Sequence, residues 1–136
     1  MQIHVNPRLI LLLFLLAGTI GCKPEPKTPP QPKTAAASPW RMELNTEPAK
    51  LRMNEPARFR LRLLDTAGKP VPGAQVQGSL NMPLMDMGRN EFTMAPTAGE
   101  YVGTGKMSMA GPWELTVTAK LDGAVGKQSF ELRVDE

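Results

Sequence analysis

Histidine and cysteine are almost absent: His4 and Cys22 are the single members of each type in 136 residues, and both precede residue 40. A lone cysteine closes no intramolecular disulfide. Without histidine the rest of the chain offers no imidazole for acid–base work or for zinc, and no Ser–His or Cys–His pair for covalent catalysis. There is no Gly-rich phosphate loop. The paired carboxylates Asp86 and Glu91 are the remaining acid–base candidates. Nothing in their spacing asks for that chemistry, so they read as solvated loop residues, and the chain is expected not to be an enzyme.

An excess of one charge is missing as well. Taking Arg8, Lys23, Lys27 and Lys33 from the 16 basic residues and Glu25 from the 13 acidic ones leaves twelve of each between residues 40 and 136. A domain of zero net charge with no basic stripe has no electrostatic footprint for nucleic acid. The +3 of the whole chain lies in its first 39 residues.

Only one long apolar run occurs, "LILLLFLLAGTIG" after Arg8, and it stops at Cys22. A basic start, an apolar stretch too short for a comfortable membrane span and small residues before the stop describe a signal peptide over residues 1–21. "TIGC" resembles a bacterial lipobox, with Thr19 where that motif usually has leucine. This makes Cys22 the lipidated first residue of the mature chain. The alternatives are an ordinary secreted protein cut elsewhere and an uncleaved signal anchor. Lys23 after the cysteine reads as export to the outer membrane, and so to its periplasmic face in a Gram-negative cell. The two or three acyl chains of such a cysteine hold a membrane stably, where one would not.

Residues 23–39, "KPEPKTPPQPKTAAASP", carry six prolines, three lysines and one glutamate and nothing apolar larger than alanine. Such a segment buries too little to fold. Residues 22–39 are expected to be a disordered tether that, at ~3.1 Å per residue, holds its cargo up to roughly 50 Å from the bilayer.

Helical spacing of apolar residues is also missing after Trp40, and strict alternation stands in its place. In "ARFRLRLLD", Phe59, Leu61 and Leu63 point one way and Arg58, Arg60 and Arg62 the other. "AQVQGSLN", "EYVGTGKMSM", "PWELTVTAKL" and "QSFELRV" alternate likewise, and "EFTM" and "WRMEL" add shorter segments. About seven antiparallel strands at this spacing predict an all-β, two-sheet sandwich over residues 40–136. The arginine row reads as a solvated strand face rather than a ligand row, and Trp113 reads as a core anchor.

Four ordered motifs between residues 57 and 121 resemble the YtkA-like, or FixH-like, domain of bacterial envelope proteins. Asp65, Gly68, Pro70, Val71, Gly73 and Ala74 match its "D-x-x-G-x-P-V-x-G-A" turn, and Met82, Pro83 and Met85 its "M-P-x-M" segment. Gly99, Tyr101 and Gly103 match "G-x-Y-x-G", and Met109, Gly111 and Trp113 match "M-x-G-x-W". The resemblance implies an immunoglobulin-like sandwich in a membrane-anchored or secreted envelope protein, in a family some of whose members neighbour copper handling and metal efflux. Many relatives carry a histidine near "M-P-x-M"; this chain has none there, which removes an imidazole ligand.

Methionine is the residue type in excess. Met82, Met85, Met87 and Met94 fall within fourteen positions, and Met107 and Met109 follow. Thioethers are soft and select Cu(I) or Ag(I) over harder ions, so Met82, Met85 and Met87, with Met107 and Met109 as extra donors, form a candidate metal site. Methionine equally fills irregular core gaps and packs against aromatic rings. Two functional readings follow. One is a lipid-anchored envelope protein presenting a non-catalytic binding or structural module to an envelope protein of unknown identity. The other is a Cu(I)/Ag(I)-binding domain in periplasmic copper handling or metal efflux.

Overall fold

A computed structural model describes residues 30, 32–35, 38–85, 88 and 90–136. The signal peptide, Cys22, Asp86 and Met87 lie outside the described residues. The strands are β1 (Pro32–Ala35), β2 (Arg41–Glu47), β3 (Leu51–Arg52), β4 (Pro56–Leu64), β5 (Gln75–Asn81), β6 (Asn90–Thr97), β7 (Glu100–Lys106), β8 (Gly111–Leu121) and β9 (Ala124–Asp135). The seven alternating segments are thus seven strands, to which β1 and β3 add two short ones.

They pair in the order β1-β9-β8-β5-β6-β7-β4-β2, and β3 joins β9 in parallel at Leu51 and Val134. β6 belongs to two sheets. Its residues Asn90–Met94 pair with β5, and Ala95–Thr97 pair with β7. The single path therefore doubles back at β6 into an immunoglobulin-like sandwich of two facing sheets, with β2 and β9 on the opposite, open side.

The alternation decides which side chains enter. Phe59 and Leu61 from β4, Val76 and Leu80 from β5, Leu115 and Val117 from β8 and Phe130 and Leu132 from β9 are buried together. Phe92 lies across the layer and stacks on Phe59, with ring centroids 5.6 Å apart. Its ring occupies the space where Gly78 and Gly103 have no Cβ; an added carbon would lie 2.5 Å and 2.6 Å from it. These inward-facing glycines thus make room for one aromatic, a use of glycine for close approach that alternation alone does not disclose.

On the outside of the second sheet the arginine row is exposed, and it is laced to glutamates. Arg62 reaches Glu43 at 3.3 Å, Arg60 reaches Glu47 at 3.1 Å and Glu100 at 3.8 Å, and Arg41 reaches Glu43 at 2.9 Å. The antiparallel register of β2 on β4 puts Glu43 opposite Arg62 and Glu47 opposite Arg58. Each such exposed pair contributes about 0.2–1 kcal/mol at most, so the row is a solvated face that fixes register.

The tether expected over residues 22–39 is corrected at one place. Pro32–Ala35 pairs antiparallel with β9, Pro32 opposite Phe130 and Ala35 opposite Gln128. The unpaired N–H and C=O groups along the β9 edge supply what the tether's own composition lacks. Proline is tolerated there because an edge strand needs donors on one side only.

Candidate functional site

The two ends of the sandwich are built differently. At one end β4 passes to β5 through residues 65–74, and the β6–β7 and β8–β9 turns lie beside that passage. Asp65 Oδ1 accepts the backbone N–H of Ala67 at 2.8 Å and of Lys69 at 2.9 Å, which closes the turn on itself. Gly68 takes a φ of 78° there. The Tyr101 hydroxyl, reaching over from β7, donates to the Val71 carbonyl at 2.7 Å and accepts from the Ala74 N–H at 3.0 Å. One side chain therefore clamps the passage to the core. The motifs around Asp65 and Tyr101 meet here, and every polar atom just named is used by the fold.

The other end gathers three loop segments and a terminus: residues 53–55 between β3 and β4, 82–85 following β5, 107–110 between β7 and β8, and the C-terminal end of β9. Short backbone bonds hold them together. Met53 N–H donates to the Asp135 carbonyl at 2.9 Å, and Asn54 N–H donates to the Met107 carbonyl at 2.7 Å. The indole N–H of Trp113, itself buried, donates to the Met109 carbonyl at 3.0 Å. Of the methionines singled out in the sequence, Met82, Met85, Met107 and Met109 belong to this end.

The structure divides them by depth. Met107 is fully buried, Met94 and Met82 nearly so, and Met109 is half-buried against the core. Met107 follows the last residue of β7 instead of continuing a strand through Met109, because the chain turns after Lys106. The Met82 methyl packs against Gly111. From that anchor the chain makes a tight turn in which Met85 N–H donates to the Met82 carbonyl at 3.1 Å, with Pro83 at the second position, where its fixed φ suits a turn. The turn lifts Leu84 to 80% exposure and Met85 to 51%. Met82 and Met85 thus face opposite environments, one interior and one solvent. Met53, 39% exposed, joins them at this end. Sequence reading passed over it because it stands alone between β3 and β4, fifty-four residues before Met107.

Near-surface thioethers at this end are therefore Met85, Met53 and, half-buried, Met109. Met82 and Met107 are fillers of the sandwich, as sulfur-bearing side chains are suited to be. Among the described residues no group of three or more His, Cys, Asp or Glu side chains is placed to hold a metal ion. Any soft-ion chemistry at this end rests on thioethers.

Comparison with known proteins adds two findings. A solved PKD domain of the human VPS10 domain-containing receptor SorCS2 aligns over 88% of this chain and 94% of its own, at 14% identity and a TM-score of 0.44. No curated protein matches the sequence. The YtkA-like family matches residues 34–118, more than half of the chain, from β1 into β8. With the Asp65 turn, the Tyr101 clamp, the Met82–Met85 turn and the Trp113 strand entry all inside that span, the chain belongs to the YtkA-like family.

Proposed function

We propose that the chain is a lipid-anchored protein of the bacterial envelope, attached through Cys22, whose YtkA-like sandwich is a non-catalytic binding module that meets another envelope component with the end that carries Leu84 and Met85. The observation that carries this reading is the Pro83–Met85 turn. It is braced by a buried methionine and a backbone hydrogen bond, and it raises Leu84 to 80% exposure. Leu84 and Met85, adjacent and exposed at the same end as Met53, give the domain apolar surface that its own packing does not use, of the kind binding surfaces use. The export signal and the lipobox-like "TIGC" support the envelope location.

The test is a photo-reactive residue in place of Leu84 in intact cells, read by mass spectrometry for protein and lipid adducts. A recurrent adduct is expected. A protein that stays unmodified, under conditions where controls crosslink, sinks the binding-module reading. Attachment is tested separately with Cys22→Ala, which is expected to leave the membrane or remain uncut; a processed variant retained on membranes sinks the anchor.

A second reading is favoured by Met53, Met85 and Met109 lying near the surface of one end. Such thioethers bind Cu(I) or Ag(I) without deprotonation and have no charge with which to hold a divalent ion against water. The test is anaerobic Cu(I) titration against a competing chelator, on the parent and on a Met53, Met85 and Met109 triple Leu variant. Loss of binding in a folded variant supports the site. Equal binding, or none in the parent, leaves the methionines as packing and display.

A further inference from the structure

The strand path has two edges, β1 and β2, and they are not alike. β1 carries Pro32 and Lys33, and its register on β9 shifts between Pro32 and Thr34. Proline, lysine and irregular register are the devices that keep an edge from pairing with another chain. β2 has none of them. Its seven residues hold an unbroken register on β4 from Arg41–Leu64 to Glu47–Arg58, and its inward side chains Met42, Leu44 and Thr46 carry no charge. Among the described residues β2 pairs with β4 alone.

The groups that this edge leaves free follow from the far side of β4. Val71 N–H donates to the Leu63 carbonyl at 2.8 Å, so the polar groups of Leu63 turn away from β2. In an antiparallel ladder residues with that orientation recur every second position and stand opposite residues whose own N–H and C=O also turn away. Leu63, Leu61 and Phe59 face Met42, Leu44 and Thr46. The N–H and C=O groups of Met42, Leu44 and Thr46 therefore point out from the edge of the sheet.

These groups complement themselves. In an antiparallel pair centred on Leu44, Leu44 exchanges both bonds with Leu44 of a second copy, and Met42 exchanges both with Thr46, so every free group is used. On the outer face the same register sets Arg41 opposite Glu47 and Glu43 opposite Asn45, a match of opposite charges at both ends. Centring on Glu43 instead opposes Glu43 to itself. Centring on Asn45 opposes Glu43 to Glu47 and sets Met42 against Pro48, which has no N–H to give.

We propose that two copies of the chain join by their β2 edges, antiparallel about a two-fold axis at Leu44, so that the sheet bearing the arginine row runs from one domain into the other. The interface is isologous. A single strand pair is a narrow contact, so the dimer is weak and reversible. The rival occupant of the edge is the chain itself, since Pro30 lies in the groove between β2 and β9 with Leu44, Gln128 and Phe130.

The test uses the full chain in mild detergent. Amide exchange at Met42, Leu44 and Thr46, read by NMR, is expected to slow severalfold as the protein concentration rises into the millimolar range. Slow exchange at every concentration gives the edge to the chain's own residues and overturns the proposal; fast exchange at every concentration overturns it too. Register is read by disulfide formation. Positions 43 and 45 of the two copies form a non-hydrogen-bonded pair with Cα atoms about 4.5 Å apart, within disulfide range, whereas 43 and 43 are diagonal at roughly 7–8 Å. A Glu43→Cys chain mixed with a tagged Asn45→Cys chain is therefore expected to crosslink severalfold faster than either does with itself, with the parent, whose one cysteine is Cys22, as control. Self-linking as fast as mixed linking overturns the Leu44 axis. Thr46→Pro removes one edge N–H and none of the bonds to β4, so it should abolish the concentration dependence while unfolding in urea close to the parent. A folded Thr46→Pro chain that still dimerises like the parent overturns the β2 interface.

Discussion

The end clamped by Tyr101 and the end that carries the methionines are made by the same seven principal strands, yet they use their family motifs in opposite ways. At the Tyr101 end the polar side chains of the motifs are bonded to backbone: Asp65 to two amides, Tyr101 to one amide and one carbonyl. At the methionine end the motif is half buried and half displayed, with Met82 inside and Leu84 and Met85 outside. The first arrangement is spent on stability. The second leaves two large apolar side chains in water, outside the packing of the domain. Occurrence in a family motif therefore does not by itself mark a site; what separates the two ends is whether the fold has already consumed the residues' bonding capacity.

Four measurements would break or sharpen this contrast. The largest expected effect is at the methionine end, below its surface: Met107→Ala should cost about 2–5 kcal/mol in urea unfolding, because a fully buried side chain leaves a cavity. A cost below that of Tyr101→Phe would mean that the loops there are loosely packed and the turn is not braced. Tyr101→Phe comes next, at about 1–3 kcal/mol, since the Ala74 amide and Val71 carbonyl lose their partner away from water. Asp65→Ala should cost less, about 0.5–1.5 kcal/mol, because its two amides are exposed and water can replace the carboxylate. Leu84→Ser should be smallest, within about 0.5 kcal/mol in the isolated domain, because the side chain is 80% exposed. A Leu84→Ser variant that destabilises the free domain by more than Asp65→Ala would show that the turn serves folding and not display.

Much of the molecule was legible from alternation. Phe59, Leu61 and Leu63 were assigned inward and Arg58, Arg60 and Arg62 outward because successive strand side chains point to opposite faces, and the structure places them so. Trp113 was assigned to the core on the same ground and is buried. The methionine set was legible only as a set. Met82 and Met85 are three residues apart, and a period of two says nothing once Pro83 turns the chain, so their division into an interior anchor and an exposed side chain is decided by the tertiary fold. Met53 has no signal in the sequence because it is brought to this end by β3 joining β9, a pairing with no local signature.

The sequence alone determined what depends on near neighbours: strand character from alternation, turns from glycine and proline with their restricted or permissive φ, the absence of imidazole chemistry, and the family, carried by four motifs in order. These are properties of a few adjacent residues, fixed by sterics and side-chain chemistry. The tertiary structure decided what depends on residues distant along the chain: that Phe92 fills the space above two glycines, that Tyr101 reaches back to Val71 and Ala74, that Glu43 and Glu47 neutralise the arginine row, and that Pro32–Ala35 leaves its tether for the edge of β9. Each of these requires one strand to find another across a loop. Which pairing repays the entropy of closing that loop is settled by the whole core at once.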